Sequence, residues 1–185
     1  MYPKYCYLVF YLFIKFIIVL EDEDEKEFKK LEHLSGLEVR QLAVNLQADR
    51  MKSLQKSAHS YRPNDLTGIS RASYYSEQGQ ALVPRIKMLN RIAAEIIFKS
   101  KNLNFKTAKI IDLHHLTVPE AQSITCAFLL HHESIKTNSV QIITGKGNHS
   151  QGGSCKLSAS IWNLLRARKN NYSFDGSATF TINLR

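Results

Sequence analysis

An acid and a histidine stand two positions apart near the middle of the chain, where an apolar run ends. Residues 110–117 read Ile-Ile-Asp-Leu-His-His-Leu-Thr, and residues 109–114 have the character of a buried strand. On a strand, positions i and i+2 share a face, so Asp112 and His114 would point to the same spot. A carboxylate can hold the tautomer of a neighbouring imidazole and raise its basicity. The spacing therefore predicts an acid–base pair at the end of this strand.

A glycine loop follows a second apolar run about thirty residues later, where residues 144–150 read Thr-Gly-Lys-Gly-Asn-His-Ser. A lysine between glycines can reach a phosphate that the backbone approaches closely. Gly152 and Gly153 would present N–H groups at the start of a following helix. If the two strands are parallel neighbours, their carboxyl ends meet at one edge. This indicates chemistry on a phosphodiester, with the catalytic residues Asp112, His114 and His149, and with the substrate-binding residues His115, Thr144, Gly145, Lys146, Gly147, Asn148, Ser150, Gly152 and Gly153.

A metal site remains an alternative for the same side chains. Asp112, His114, His115 and His149 have suitable ligand types, but their spacing matches no strong zinc pattern. The three cysteines are widely scattered, which argues against a disulfide scaffold and a cysteine-based zinc site. We therefore expect no cofactor and no bound metal, and the metal site stays the alternative.

The charge balance favours a polyanionic partner. The chain of 185 residues has 25 Lys and Arg against 16 Asp and Glu, a formal net charge of +9. Residues 38–109 hold 13 Lys or Arg and 5 Asp or Glu, which gives +8. This region is either a helical hairpin with a solvated basic face or a surface that lies along nucleic acid, and the sequence leaves both open.

Apolar periodicity predicts two helical stretches followed by alternating strands and helices. Pro84 should kink or split the second helix, and Thr117 should cap the third, because Pro119 lies inside its first turn and Glu120 three residues after the cap. A break is expected at 62–65 and Gly68, and a turn at 174–176. The predicted fold is α/β, a small βαβαβ sandwich preceded by a helical extension, with helices over 37–61, 70–100, 117–135 and 153–168 and strands over 109–114, 139–144 and 179–184.

The N-terminal segment differs from the rest in composition. Residues 5–20 are apolar apart from Lys15, and they could be a short membrane anchor, an aggregation-prone strand or a start that is not the natural one, which we favour. The acidic run 21–27 reads as a solvated linker. The expected layout is an uncertain N-terminus and linker over 1–37, a basic helical extension over 38–107 and the α/β domain over 108–185.

The two motifs together resemble the Smr (small MutS-related) domain. Its signature, Leu-Asp-Leu-His-Gly-Leu followed by Thr-Gly-x-Gly-x-His-Ser-x-x-Gly, corresponds to residues 111–116 and 144–153 here. Residues 72–80 and 90–98 look like the helical extension that precedes eukaryotic Smr domains. The resemblance thus covers residues 38–185. This region is similar to the C-terminal part of longer eukaryotic Smr proteins, which include CUE-domain members linked to ribosome rescue. Two positions depart from the pattern: His115 replaces the glycine, and Pro84 interrupts a stretch that is usually a continuous helix.

The resemblance implies an endonuclease that cuts RNA or nicks DNA. We expect no cofactor and no metal if RNA is the substrate, and a divalent metal is the alternative if DNA is the substrate. It implies nucleic acid as partner, RNA more than DNA, with the ribosome as a further partner and ribosome quality control or DNA repair as settings. A non-catalytic RNA- or ribosome-binding module is the rival interpretation. We expect a cytoplasmic protein, with the nucleus as an alternative, and no membrane partner unless residues 5–20 provide one.

Overall fold

The computed structural model describes residues 22–105, 107–145 and 156–184. Contacts divide the chain near Ala93 into two compact units. We call residues 22–93 the helical unit and residues 94–184 the α/β unit. Residues 5–20, for which the sequence left three interpretations, lie outside the described part. Within that part, none of the helices combines the length and the apolarity that crossing a bilayer requires.

The helical unit consists of long helices whose ends follow local signals. A capping box begins the second of them, because the Ser35 hydroxyl accepts from the Glu38 N–H at 3.2 Å and the Glu38 carboxylate accepts from the Ser35 N–H at 2.7 Å. Asp65 caps the third helix by accepting from the Thr67 N–H at 2.9 Å. The helices are α1 Asp22–Leu31, α2 Gly36–Ser60, α3 Leu66–Ala81 and α4 Val83–Lys101, the last of which continues into the α/β unit.

From Asp22 onward the acidic run is a helix and not the solvated linker that its composition predicts. Residues Asp22–Leu31 form α1, and Glu27 makes an ion pair with Arg85 of α4 at 2.6 Å. That hydrogen bond lowers the pKa of the Glu27 carboxyl below its ordinary value. The partner is 58 residues away, so no local pattern could have indicated it.

The two predicted interruptions have different outcomes. Pro84 does split the second helical stretch, since α3 ends at Ala81 and Pro84 occupies the first turn of α4, where its missing N–H costs nothing. Gly68 is different, because it lies within α3 and not in the break before it. A Cβ there would come within 2.9 Å of the Ser60 carbonyl oxygen, so glycine is needed for close packing.

The α/β unit has the predicted architecture with one additional strand. Its elements are β1 Ile110–Asp112, α5 Val118–Ser134, β2 Ser139–Ile143, α6 Lys156–Ala167, β3 Asn171–Phe174 and β4 Thr179–Asn183. The sheet order is β1-β2-β4-β3, with β1 parallel to β2, and β4 antiparallel to both of its neighbours. Strand β3 was not predicted, and β1 is shorter than the predicted strand because it ends at Asp112.

Helices α5 and α6 bury the apolar side of this sheet. Alternate residues of β2 and β4 are buried, and Ile142, Phe180 and Ile182 join Ile124 and Phe128 of α5 in one core. The start of α5 is as predicted, with the Thr117–Glu120 capping box present. The core also includes residues that precede β1, namely Ala94, Ile97, Phe98 and Phe105.

Candidate active site

Asp112 and His114 form a direct hydrogen-bonded pair where β1 ends. The Asp112 Oδ1 atom lies 2.5 Å from His114 Nδ1 and also accepts the His114 backbone N–H at 3.0 Å. Both side chains remain partly open to solvent, with exposed fractions of 22% for Asp112 and 28% for His114. With Nδ1 donating to the carboxylate, Nε2 is the nitrogen that can exchange a proton with a substrate.

The pairing is as predicted, but its geometry is not that of a strand. The strand ends at Asp112, and His114 lies in the turn that follows. The Asp112 carboxylate accepts the N–H two residues ahead, which is the hydrogen bond of an Asx turn. Leu113 still donates its N–H to the Ile143 oxygen at 2.8 Å, so the turn stays attached to β2. The acid therefore both orients the imidazole and shapes the backbone that carries it.

Asn102 positions Asp112 from the end of α4. Its amide oxygen accepts the Asp112 N–H at 2.8 Å, and its amide nitrogen donates to the Asp112 and Phe98 carbonyl oxygens at 2.8 and 2.9 Å. The Asn102 side chain is buried, so these bonds are protected from water. Sequence reasoning missed this residue, because an asparagine at a helix end reads as an ordinary cap.

His115 adopts a backbone conformation that favours glycine. Its φ angle is +70°, in the left-handed region, which explains why glycine suits this position of the motif. Its exposed ring lies against the His114 ring, with centroids 4.4 Å apart and planes at 58°. The side chain is therefore placed beside the acid–base pair, as a substrate-binding residue would be.

Thr144 and Gly145 follow β2 at the same edge of the sheet. Gly145 has a φ of +81°, and a Cβ there would lie 3.1 Å from the His114 Cβ. Glycine at this position therefore leaves room for the His114 side chain. Thr144 was predicted to bind substrate, but its side chain is only 2% exposed. Its hydroxyl lies 2.8 Å from the Ser158 hydroxyl and donates to the Ala178 oxygen at 3.0 Å. Through these bonds Thr144 fixes the end of β2 to Ala178, and Ser158 of α6 contributes a further hydrogen bond.

The remaining predicted site residues lie outside the described part of the chain. They are Lys146, Gly147, Asn148, His149, Ser150, Gly152 and Gly153, and their roles stay predictions. Among residues 22–105, 107–145 and 156–184, no three His, Cys, Asp or Glu side chains are grouped to hold a metal ion. The alternative metal site includes His149, so this observation leaves it untested.

A second pair of histidines, His131 and His132, belongs to the interior. His132 is buried against the Phe128 ring, and its Nδ1 lies 3.0 Å from the Thr137 hydroxyl. Burial lowers the pKa of His132 to about 4, with a smaller contribution from His131, and burial also lowers the pKa of His131. Burial thus favours the neutral form of both rings, and their contacts are those of side chains in the interior.

Two family models match the chain, DUF1771, a domain of unknown function, over residues 37–102 and the Smr domain over residues 111–179. The chain is an Smr-domain protein. The predicted resemblance is confirmed for both the Smr domain and the helical region that precedes it.

The similar proteins are longer than this chain. Human NEDD4-binding protein 2 is 30% identical over 132 residues, which cover 69% of this chain and 7% of that protein. Endonuclease NBR9 of Saccharomyces cerevisiae is 32% identical over 126 residues, which cover 66% of this chain and 50% of that protein. The chain thus spans half or less of these relatives. The solution structure of the B3BP Smr domain is 28% identical, with a TM-score of 0.44, and covers 52% of this chain and 96% of that domain.

Proposed function

We propose that this Smr-domain protein is an endonuclease that cleaves RNA. The observation that carries the proposal is the Asp112–His114 pair, which is pinned by Asn102 and lies at the joined ends of β1 and β2. The name of the yeast relative, an endonuclease, and the net charge of +9 support the same conclusion.

In the proposed reaction, a 2′-hydroxyl attacks the adjacent phosphorus and the 5′-oxygen leaves. His114 Nε2 either takes the proton from the 2′-hydroxyl or gives one to the leaving oxygen, and Asp112 stabilises the imidazolium form of the ring. His149 would carry the complementary proton transfer. Lys146 and the loop amides would stabilise the charge that develops on the phosphate. For DNA there is no 2′-hydroxyl, so water must attack, and a divalent metal becomes the natural activator.

A second candidate function is a non-catalytic RNA- or ribosome-binding module. The motivating observations are the charge of +8 over residues 38–109 and the imidazole of His115 at a position where the motif has glycine. Such a module would use the same basic surface without breaking bonds.

A cleavage assay separates the two functions. The full chain is incubated with labelled single-stranded RNA and with supercoiled DNA, each with and without EDTA. We expect RNA cleavage that resists EDTA and falls at least about tenfold in Asp112→Asn and His114→Ala, because general acid–base catalysis contributes about 10²–10⁴-fold. Asp49→Asn and His59→Ala are matched controls, since both residues are exposed in the helical unit.

Three outcomes decide the matter. Wild-type rates in both site variants would refute the catalytic assignment. Binding without cleavage by the wild-type chain would favour the non-catalytic module. Cleavage that EDTA abolishes would replace the metal-free mechanism by a metal-dependent one.

A further inference from the structure

A shallow apolar groove opens between α6 and the edge strand β3. Its lining consists of Ser158, Ala159 and Trp162 from the helix and Phe174 and Phe180 from the strands, around a volume of about 220 Å³. Pockets for drug-sized ligands run from about 300 to 1,000 Å³, so this groove fits one flat group and not a large ligand. Neither Asp112 nor His114 lines it.

The two rims of the groove are unusually exposed aromatic rings. Trp162 is 44% exposed and Phe174 is 43% exposed, although both are large apolar side chains. Phe174 is held in place by stacking on the buried Phe180 ring, with centroids 4.5 Å apart. An aromatic face that is fixed from below and open above is suited to stacking with another flat ring.

The charge around the groove is positive. Arg166 lies over the Trp162 ring at 5.0 Å, one turn further along α6. Residues 156–174 contain four Lys or Arg and no Asp or Glu, and of these Arg168 is bound by Glu133 at 3.0 Å. The next acid in the sequence, Asp175, accepts hydrogen bonds from the backbone N–H groups of Thr179, Ser177 and Ala178, which lower the pKa of its carboxyl. The surroundings thus favour a ligand that is both aromatic and anionic.

The groove is connected to the acid–base pair through a short series of contacts. Ser158 lines the groove and shares a hydrogen bond of 2.8 Å with Thr144. The next residue, Gly145, packs against His114, with only 3.1 Å between an ideal Cβ and the His114 Cβ. Trp162 lies four residues after Ser158 on α6, about 6 Å along the helix axis. A nucleotide next to one bound at His114 could therefore reach the Trp162 ring.

We propose that this groove is a base-stacking subsite, in which Trp162 and Phe174 hold a nucleobase of single-stranded RNA that flanks the phosphate at His114, while Arg166 meets its backbone. The inference rests on the proposed nucleic-acid role and adds a preference to it. A paired base cannot enter the groove, so the subsite selects single strands over duplexes. Stacking reads the face of a base and not its edge, so the subsite tolerates all four bases.

The single tryptophan of the chain makes the proposal directly measurable. The full-length protein is titrated with a single-stranded 2′-O-methyl oligoribonucleotide, which cannot undergo attack by its own 2′-oxygen, while Trp162 emission is recorded. We expect quenching that saturates with binding. An oligonucleotide of equal length with abasic sugars keeps the phosphates and should bind more weakly without quenching. Equal quenching by the abasic strand, or no change with the intact one, would overturn the proposal.

Variants test the same point through affinity, measured by anisotropy of a labelled strand. Trp162→Leu keeps an apolar side chain and should weaken binding by about 5- to 150-fold, the range for one stacked base. Trp162→Phe keeps a ring and should retain most of the affinity. Leu130→Ala removes an equally exposed apolar group from α5 and should bind as the wild type does. Unchanged affinity in Trp162→Leu would refute the subsite.

The failure of this inference can be told apart from failure of the proposed function. Quenching by intact RNA without cleavage would retain the subsite and remove the catalytic role. Cleavage with an unchanged KM in Trp162→Leu, together with no quenching in the wild type, would retain the enzyme and remove the subsite.

Discussion

Replacing His115 by glycine should stabilise the protein, although it removes a side chain. A residue with a Cβ pays about 1–2 kcal/mol in the left-handed region, and His115 has a φ of +70°. Glycine relieves this cost, but it also raises the conformational entropy of the unfolded chain, which lowers the free energy of unfolding by about 0.4–1 kcal/mol. The net gain should be about 0.5–1 kcal/mol. For a chain of this size that corresponds to a rise in Tm of about 1–4 °C.

Thermal and denaturant unfolding of matched variants would test this reasoning. His115→Ala removes the ring but keeps the Cβ, so it should not gain stability. Lys136 and Lys169 are the other non-glycine residues with positive φ in the described part of the chain, at 57° and 58°. Glycine at either position should give a similar gain without touching the site.

The comparison among these variants also shows how the reasoning could fail. If glycine stabilises at Lys136 and Lys169 but destabilises at His115, contacts of the His115 imidazole outweigh its backbone strain. The ring packs on His114, so the substitution also bears on function. We expect His115→Gly to raise KM for RNA while kcat changes little, because the acid–base pair itself remains.

Three further predictions concern single side chains. Asn102→Ala should lower the free energy of unfolding by about 1–3 kcal/mol, because it leaves the partly buried Asp112 N–H without its acceptor, and it should lower kcat more than it raises KM. His132→Gln should flatten the pH dependence of stability. Because the folded state keeps His132 neutral, up to about 3 kcal/mol of the free energy of unfolding that is present above pH 6.5 is lost as the pH falls to about 4. Denaturation at several pH values would show this loss in the wild type and a smaller one in the variant. Lys146→Ala should weaken RNA binding more than Lys29→Ala, since only the loop lysine is expected to meet a phosphate; equal effects in a binding titration would indicate diffuse charge alone.

The sequence predicted best the features that local residues determine. The start of α5 follows from Thr117, Pro119 and Glu120, whose capping geometry needs no distant partner. The core strands β2 and β4 were predicted as short strand-like stretches, and the structure buries alternate positions of both. The Asp112–His114 pair was predictable for a related reason, since both of its members lie within three residues.

The features that the sequence did not reveal depend on distant contacts. Strand β3 pairs with β4 at the edge of the sheet and has three exposed residues among four, so it lacks an apolar pattern. Helix α1 is acidic in sequence and is held in part by Arg85. Asn102 acts on the backbone of Asp112, ten residues further on, and backbone acceptors have no signature in sequence. Ser158 joins the site only because α6 folds back onto the end of β2.

The C-terminal part of helix α4 belongs to the DUF1771 match by sequence but to the α/β unit by its contacts. The DUF1771 match ends at residue 102 and the Smr match begins at residue 111, yet Phe98 belongs to the α/β core and Asn102 fixes Asp112. A recombination event that separated the regions at their nominal boundary would leave the Smr part without a core ring and without the clamp on its acid. The segment from Ala94 onward should therefore be inherited together with the Smr domain, and an exchange between relatives should be tolerated when its junction falls before Ala94.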